Sequence, residues 1–161
     1  MAGIEDLPIE MLSNTLTKKS DINYRSGHPY DLEDVKDLPR SIQHPIAVFD
    51  SEHEKGHKVI LTELKDKKGN NFVSILNVLK KRGRNLVTFN SVISLYPKES
   101  SIRIAKWFDS EFSKITEKGK RPLLRWADIK KASTWMTNHA ADLHAVGLSS
   151  RRIAKLIKNF S

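Results

Sequence analysis

The sequence predicts an α+β fold in which N-terminal helices pack on a small antiparallel sheet of about four strands, followed by basic C-terminal helices. Three observations indicate this class. Apolar and polar side chains alternate in the middle of the chain, turn residues separate two of these stretches, and apolar residues recur with helical spacing at both ends. With 161 residues, 39% of them hydrophobic, the chain can form one globular domain with a buried core.

Two helices are predicted before the sheet. The first covers residues 8–18 and begins at Pro8, because proline is favoured in the first turn of a helix. The second covers about 31–42, and Pro39 interrupts it. Its apolar stripe consists of Leu32, Val35, Leu38 and Ile42.

The predicted sheet contains a short strand at 46–49 and longer strands at 58–65, 71–80 and 86–96. Residues 66–70, Asp-Lys-Lys-Gly-Asn, have the composition of a hairpin turn. The three longer strands therefore form two successive hairpins, which make an antiparallel meander.

Three helices are predicted after the sheet. Apolar stripes at helical spacing run through 100–117 and 127–146, and His139 lies on the second stripe, where a partly buried structural residue is expected. The last helix covers 150–160, with Ser149 as its N-cap.

Most of the positive charge lies near the C-terminus. The chain has 28 Lys and Arg against 19 Asp and Glu, a net charge of +9, and residues 118–161 account for +8 of it. We therefore predict an α+β domain of residues 1–118 and a basic helical extension, residues 119–161, packed on it. Such a surface attracts polyanions, nucleic acid first and acidic proteins or anionic lipids second. The alternative is a solvated helix surface that only keeps the protein in solution.

Several classes of protein are excluded or disfavoured. The chain has no cysteine, which removes disulfides and thiolate chemistry. Its apolar runs are too short for a membrane span, and its N-terminus has no signal-peptide pattern, so we expect no membrane partner and a cytoplasmic protein. His53 and His57 lie in a glycine-containing loop rather than on a helix, so we predict no metal site and no cofactor.

The strand at 86–96 has one polar side. A period of two places Val87, Phe89, Ser91, Ile93 and Leu95 on the core side. It places Thr88, Asn90, Val92, Ser94 and Tyr96 on the other side, with Lys98 just beyond the strand. An amide, a hydroxyl and a phenol in a row could bind a phosphate, although any half-exposed strand shows a similar alternation.

These residue types suit RNA cleavage without a metal. Attack of a 2′-hydroxyl on the adjacent phosphate needs a general base, a general acid and groups that stabilise the phosphorane. Histidine, with an ordinary pKa of about 6.5, suits the first two roles. Arg, Lys, Ser, Thr and Tyr suit the third.

The stretch from 28 to 98 resembles a known group of domains. The similarity lies in His28, in the segment Asp-Leu-Pro-Arg-Ser-Ile-Gln-His-Pro-Ile-Ala-Val-Phe-Asp-Ser at 37–51, in Val-Ile-Leu-Thr-Glu-Leu at 59–64, and in Phe-Asn-Ser-Val-Ile-Ser-Leu-Tyr-Pro-Lys at 89–98. It resembles the phage-associated barnase–EndoU–colicin–RelE-type (BECR) nuclease domains, which include the C-terminal domains of phage Mu F-type proteins and of polymorphic toxins.

The resemblance implies a metal-independent ribonuclease encoded by a bacterium or a phage, often a toxin or effector acting on tRNA or other RNA. A toxin of this kind would be delivered into the cytoplasm of a target cell. It implies His28 as general acid or base, and it matches Asn90, Ser94 and Tyr96 to the polar positions of the Asn-x-x-x-Ser-x-Tyr strand. Ser94 and Tyr96 would donate to the phosphate, and Asn90 would orient the substrate or the histidine. A cation from Arg82, Arg84 or Lys98 would offset the charge of the phosphorane, and Arg84 is counted with the catalytic residues. The predicted substrate-binding cations are Arg82, Lys98, Arg151, Arg152 and Lys155.

Three functions remain open from the sequence. The first is an RNA-cleaving toxin or effector, whose partners would be RNA and an acidic cognate immunity protein. The second is a non-catalytic nucleic-acid-binding or phage accessory protein on the same fold. The third is ADP-ribose transfer, which is disfavoured because the sequence has no dedicated glycine-rich loop and no convincing Arg–Ser–Glu set.

Overall fold

The computed structural model describes residues 4, 8–17, 30–51, 54–82, 84, 87–98, 101–108, 122–145 and 147–159. Within these ranges, six strands form a single sheet. The strands are β1 (Ile9–Met11), β2 (Ala47–Asp50), β3 (His57–Lys65), β4 (Asn71–Arg82), β5 (Val87–Pro97) and β6 (Leu123–Ala127). Their order across the sheet is β1-β5-β4-β3-β2-β6, and every pairing is antiparallel except that of β1 with β5.

Helices lie before and after the strands, so the predicted α+β class is confirmed. A 3-10 turn covers Leu32–Val35. The α-helices are α1 (Ser13–Thr17), α2 (Leu38–Gln43), α3 (Ser101–Phe108), α4 (Ile129–Asn138), α5 (Ala140–Ala145) and α6 (Ser150–Asn159). Among the described residues, no helix is both long and apolar enough to span a bilayer.

Each side of the sheet carries its own apolar core. On the α2 face, α2 and the 3-10 turn cover the sheet. The core of that face includes Ile42, Val48, Ile60, Phe72, Leu76, Val92 and Leu95. On the α4 face, helices α3 to α6 cover the sheet. The core of that face includes Phe49, Leu61, Val73, Phe108, Trp135 and Met136.

The central hairpin forms where it was predicted. Asp66 accepts hydrogen bonds from the amides of Lys68 and Asn70 through Oδ1, both at 2.9 Å. Gly69 has a φ of +84°, a conformation that glycine adopts without steric cost. These contacts fix the turn and thereby the register in which Lys65 pairs with Asn71.

The sheet is larger than the predicted four strands, because two short edge strands extend it. The predicted first helix, 8–18, is wrong over its first part, where β1 pairs in parallel with β5 and the amide of Asn90 donates to the Pro8 carbonyl at 2.8 Å. Proline is compatible with the beginning of an edge strand. Of the described residues 8–17, the helical ones are Ser13–Thr17. At the other edge, β6 pairs with β2.

The C-terminal helices differ from prediction mainly at their ends. The predicted helix 127–146 is two helices, because α4 ends at Asn138 and α5 begins at Ala140. The helix predicted for 100–117 is observed as α3, and its remainder from 109 on lies outside the described residues. Ser149 caps α6 as predicted, since its hydroxyl accepts a hydrogen bond from the Arg152 amide at 3.2 Å.

Candidate functional site

A bulge in β5 separates the polar residues that the sequence placed in one row. Ile75 pairs with Ser94 and Leu76 pairs with Val92, so Ile93 is an extra residue in β5. One extra residue reverses the alternation of side chains across a bulge. Ile93, predicted to lie in the core, is consequently 40% exposed.

The prediction that Asn90, Ser94 and Tyr96 share one surface is therefore wrong. Asn90 lies on the α2 face with Val92 and is fully buried. Tyr96 packs against the core of the α4 face, opposite Val73, and Ser94 lies on the same face two residues earlier. The structure brings Ser94 and Tyr96 together and places Asn90 on the other side of the sheet.

Lys98 completes the polar group on the α4 face. Its Nζ lies 5.8 Å from the ring centroid of Tyr96 and 5.3 Å from that of Trp107, within the range of a cation–π contact. Burial, together with the nearby positive charge of Arg103, lowers the pKa of Lys98. Burial raises the pKa of Tyr96, so its phenol stays protonated at neutral pH.

Asn71 connects Lys98 with Lys65 across three strands. The Lys98 amide donates to the Asn71 carbonyl at 2.8 Å, and Asn71 pairs with Lys65 in the neighbouring strand. Since adjacent strands lie about 4.8 Å apart, the backbones of the two lysines are separated by roughly 10 Å. We call Lys98, Asn71 and Lys65 the lysine–asparagine row.

The side chain of Asn71 is buried and held by two hydrogen bonds. Its Nδ2 donates to the carbonyl of Thr62 at 3.0 Å, and its Oδ1 accepts a hydrogen bond from Nε1 of Trp135 at 3.1 Å. The second bond ties α4 to β4. The middle of the row is therefore rigid, and the amide is a structural anchor.

A cleft of about 430 Å³ opens beside the row, between β3 and α4. Trp135 and Asn71 contribute to its lining, and His139 stacks on Trp135 with ring centroids 4.2 Å apart. Nδ1 of His139 lies 2.7 Å from the carbonyl of Trp135. Because a carbonyl only accepts, Nδ1 carries the proton, and Nε2 is the nitrogen left for another partner.

The half-buried position of His139 agrees with its expected place on the helix stripe, but its position at a cleft was not predicted. The sequence marks it only as a histidine four residues after a tryptophan. Lys65, Asn71 and Lys130 were also missed, because the pairing that gathers them depends on register and helix docking.

The remaining predicted site residues are dispersed. His28 lies outside the described residues. Arg82 ends β4, and Arg84 is exposed in the turn before β5, while Lys98 follows the other end of β5. A strand of 11 residues is roughly 30 Å long, so the structure does not bring Arg84 to Lys98.

Helix α6 presents the predicted basic surface. Arg151, Lys155 and Lys158 are exposed, and Arg152 is partly buried. Ile153 and Leu156 pack against the core of the α4 face. The basic helix therefore lies on the same side of the sheet as Tyr96.

Most of the residues described above lie in a part of the chain that matches a known family. A family model described as the Phage MuF-C-terminal domain matches residues 19–134, which is more than two thirds of the chain. The match includes Ser94, Tyr96 and the lysine–asparagine row, and it ends before His139. Comparison with curated proteins and with solved structures found no match. The chain belongs to the phage MuF C-terminal domain family.

Proposed function

We propose that the protein is a metal-independent endoribonuclease, of the toxin or effector type, that cleaves RNA by attack of a ribose 2′-hydroxyl on the adjacent phosphate. The observation that supports it best is the grouping of Ser94, Tyr96 and Lys98 on one face of the sheet. Hydroxyl donors next to a cation suit a phosphorane, which gathers negative charge in the transition state. A phage-associated domain is compatible with this activity.

Tyr96 and Lys98 have complementary roles in the proposed reaction. The phenol of Tyr96 is protonated at neutral pH, as tyrosine is at its ordinary pKa, and burial raises this pKa further, so that the phenol donates to a phosphate oxygen together with the hydroxyl of Ser94. Lys98 supplies positive charge to the phosphorane. Its lowered pKa makes its ammonium a better proton donor than that of an exposed lysine, which suits the leaving 5′-oxygen.

His28 is the proposed base that takes the 2′-proton. This role follows from the resemblance to BECR domains and not from the described part of the structure. Arg82 and Arg84, at the far end of β5, are proposed to contact RNA away from the reacting phosphate. Asn90 is proposed to support β5 from the opposite face rather than to touch the substrate.

The basic surface of α6 is proposed to attract RNA to this side of the sheet. Arg151, Arg152 and Lys155 provide sequence-independent attraction to phosphates. An acidic immunity protein that covers this surface or the site would be the matching protein partner. Co-expression with such a protein should relieve toxicity, and toxicity that persists would count against this partner.

A second candidate function is nucleic-acid binding without catalysis, as a phage accessory protein. The exposed basic residues of α6 favour it, because they need no catalytic group to bind RNA. The two functions differ in what Tyr96→Phe does. This substitution slows RNA cleavage by an enzyme at least tenfold, and it leaves RNA binding by a non-catalytic protein unchanged.

The test is incubation of the full chain with total tRNA and a mixed RNA pool in EDTA. Tyr30→Phe is the matched control for Tyr96→Phe, because it removes the same phenolic oxygen on the opposite face, where Tyr30 packs on Phe72. We expect cleavage by the wild type and by Tyr30→Phe, and at least tenfold slower cleavage by Tyr96→Phe, Ser94→Ala and His28→Ala. Binding of RNA without cleavage by the wild type would reject the enzyme and favour the second function.

A further inference from the structure

We infer that the cleft between β3 and α4 is a second phosphate-binding site, which holds a flanking phosphodiester of single-stranded RNA against Lys65, Lys130 and His139. This inference rests on the proposed substrate class, RNA, but not on cleavage. The cleft has not figured in the proposed reaction, and His139 lies beyond the part of the chain that the family model matches.

The first argument is charge. Glu63 is the acidic residue that lines the cleft, and Lys131 neutralises it through an ion pair of 2.7 Å. Lys131 also donates to the carbonyl of His44 at 2.7 Å, so it is held in place. Lys65 and Lys130 also line the cleft. Within the described ranges, neither of them takes part in an ion pair. The cleft therefore keeps an excess of two positive charges, which an anionic ligand would neutralise.

The second argument is the rigidity of the cleft wall. Trp135 is 4% exposed and is fixed by the hydrogen bond from its Nε1 to Asn71. His139 stacks on this indole with an angle of 17° between the rings. A cleft whose aromatic wall is fixed before binding loses little conformational entropy when a ligand enters.

The third argument is the hydrogen bonding of the two ring nitrogens of His139. The carbonyl of Trp135 occupies Nδ1, so Nε2 is the ring nitrogen available to a ligand. In the neutral ring, Nε2 accepts a hydrogen bond from a hydroxyl, and in the protonated ring it donates one to a phosphate oxygen. Both partners occur in an RNA strand. His139 therefore offers a ring nitrogen to a ligand, whereas a histidine with a purely structural role does not.

The fourth argument is continuity with the proposed reaction site. Lys65 and Asn71 line the cleft, and they are also two of the three members of the lysine–asparagine row that ends at Lys98. An RNA strand bound at Lys98 has to span roughly 10 Å, the backbone separation of the two lysines, to reach Lys65 at the cleft. A single-stranded substrate suits this path, since its backbone can bend between the two positions.

The binding test uses a 2′-O-methyl oligouridylate, which cannot undergo attack by a 2′-hydroxyl. Fluorescence anisotropy would compare the wild-type chain with Lys65→Ala, Lys130→Ala and the control Lys68→Ala. Lys68 is exposed in the hairpin turn and does not line the cleft. We expect about tenfold weaker binding for each cleft variant, the usual cost of losing one charged contact, and an unchanged affinity for the control. Equal affinity of both cleft variants and the wild type, or no binding by the wild type at low salt, would overturn the inference.

His139→Asn provides the second readout. Asparagine can place an N–H near the position of Nδ1 and keep the bond to the Trp135 carbonyl, but it has no counterpart of Nε2. We expect this variant to unfold at the wild-type urea concentration and to bind the oligonucleotide more weakly. In the wild type, the ¹⁵N signal of His139 Nε2 should move as the oligonucleotide is added, and an unmoved signal would contradict the contact.

These outcomes are independent of those for cleavage. If the protein cleaves no RNA but its binding depends on Lys65 and Lys130, the proposed ribonuclease is rejected and the inference about the cleft stands. If the protein cleaves RNA but neither lysine affects binding, the proposed ribonuclease stands and the inference about the cleft is rejected.

Discussion

Trp135 and Asn71 are joined by a buried hydrogen bond of 3.1 Å from the indole Nε1 to the side-chain Oδ1. The bond connects α4 to the strand on which the candidate site is arranged. Asn71 is also bonded to Lys98 through its carbonyl and stands opposite Lys65. The position of α4, and of His139 that follows it, is therefore coupled to the lysine–asparagine row.

Replacing Trp135 by phenylalanine tests this coupling. The variant keeps an aromatic ring but leaves Oδ1 of Asn71 buried without a donor, which should lower the free energy of unfolding by about 1–3 kcal/mol. Urea denaturation gives the value. Trp107→Phe is the control, because the contacts that the structure gives for the Trp107 indole are the ring of Phe49 and the ammonium of Lys98. An equal loss in both variants would mean that the Trp135–Asn71 bond contributes no specific stability.

Lys98→Met separates charge from packing. Methionine retains an apolar chain against Tyr96 and Trp107 but removes the ammonium, whose burial is unfavourable. We expect RNA cleavage to fall at least tenfold while the urea midpoint stays the same or rises. The cleavage rate and the urea denaturation curve are measured on the same preparation of each protein. A variant that keeps the full cleavage rate would remove Lys98 from the reaction.

Tyr30 should make the protein sensitive to alkaline pH. Its phenol donates to the Leu16 carbonyl at 2.8 Å, and burial raises its pKa from 10.0 to about 12. The folded state therefore keeps a proton that the unfolded state loses in this interval. The stabilisation is complete below the unfolded pKa and is lost as pH rises through about 12.

The measurement is urea unfolding from about pH 9 to pH 12 for the wild type and Tyr30→Phe. The stability of the wild type relative to the variant should fall by roughly 2 kcal/mol across this range, because lysine titration is common to both proteins. Parallel curves would show that Tyr30 ionises as easily in the folded state as in the unfolded one.

The basic surface of α6 should contribute through salt-dependent attraction. For a single-stranded oligonucleotide, replacing both Arg151 and Lys155 by alanine should reduce the slope of log K against log salt by about 1.4, or 0.7 for each lost phosphate contact. Anisotropy titrations at several salt concentrations give the slope. An unchanged slope would mean that RNA does not touch this helix.

Local patterns predicted the centre of the fold well. The hairpin at 66–70 and the strands on both sides of it were located within two residues, because turn residues and alternation are local signals. β1 was predicted as helix, because three residues of strand next to proline carry little pattern. Its strand state depends on the distant partner β5.

The candidate site was harder to predict, for a specific reason. Alternation assigned Asn90, Ser94 and Tyr96 to one surface, but the extra residue Ile93 moves Asn90 to the other face. No residue type in β5 indicates that the strand contains a bulge. The proximity of His139 and Lys65 depends on how α4 docks, which only the tertiary structure specifies.

The most direct test of the proposed ribonuclease is the chemical identity of its product ends. A dinucleotide or short RNA with one preferred scissile bond would be incubated with the wild type in EDTA, and the fragments would be analysed by mass spectrometry. Attack by the 2′-hydroxyl predicts a 2′,3′-cyclic phosphate on one fragment and a 5′-hydroxyl on the other. Fragments that carry a 5′-phosphate and a 3′-hydroxyl, or an RNA that stays intact while bound, would contradict the account.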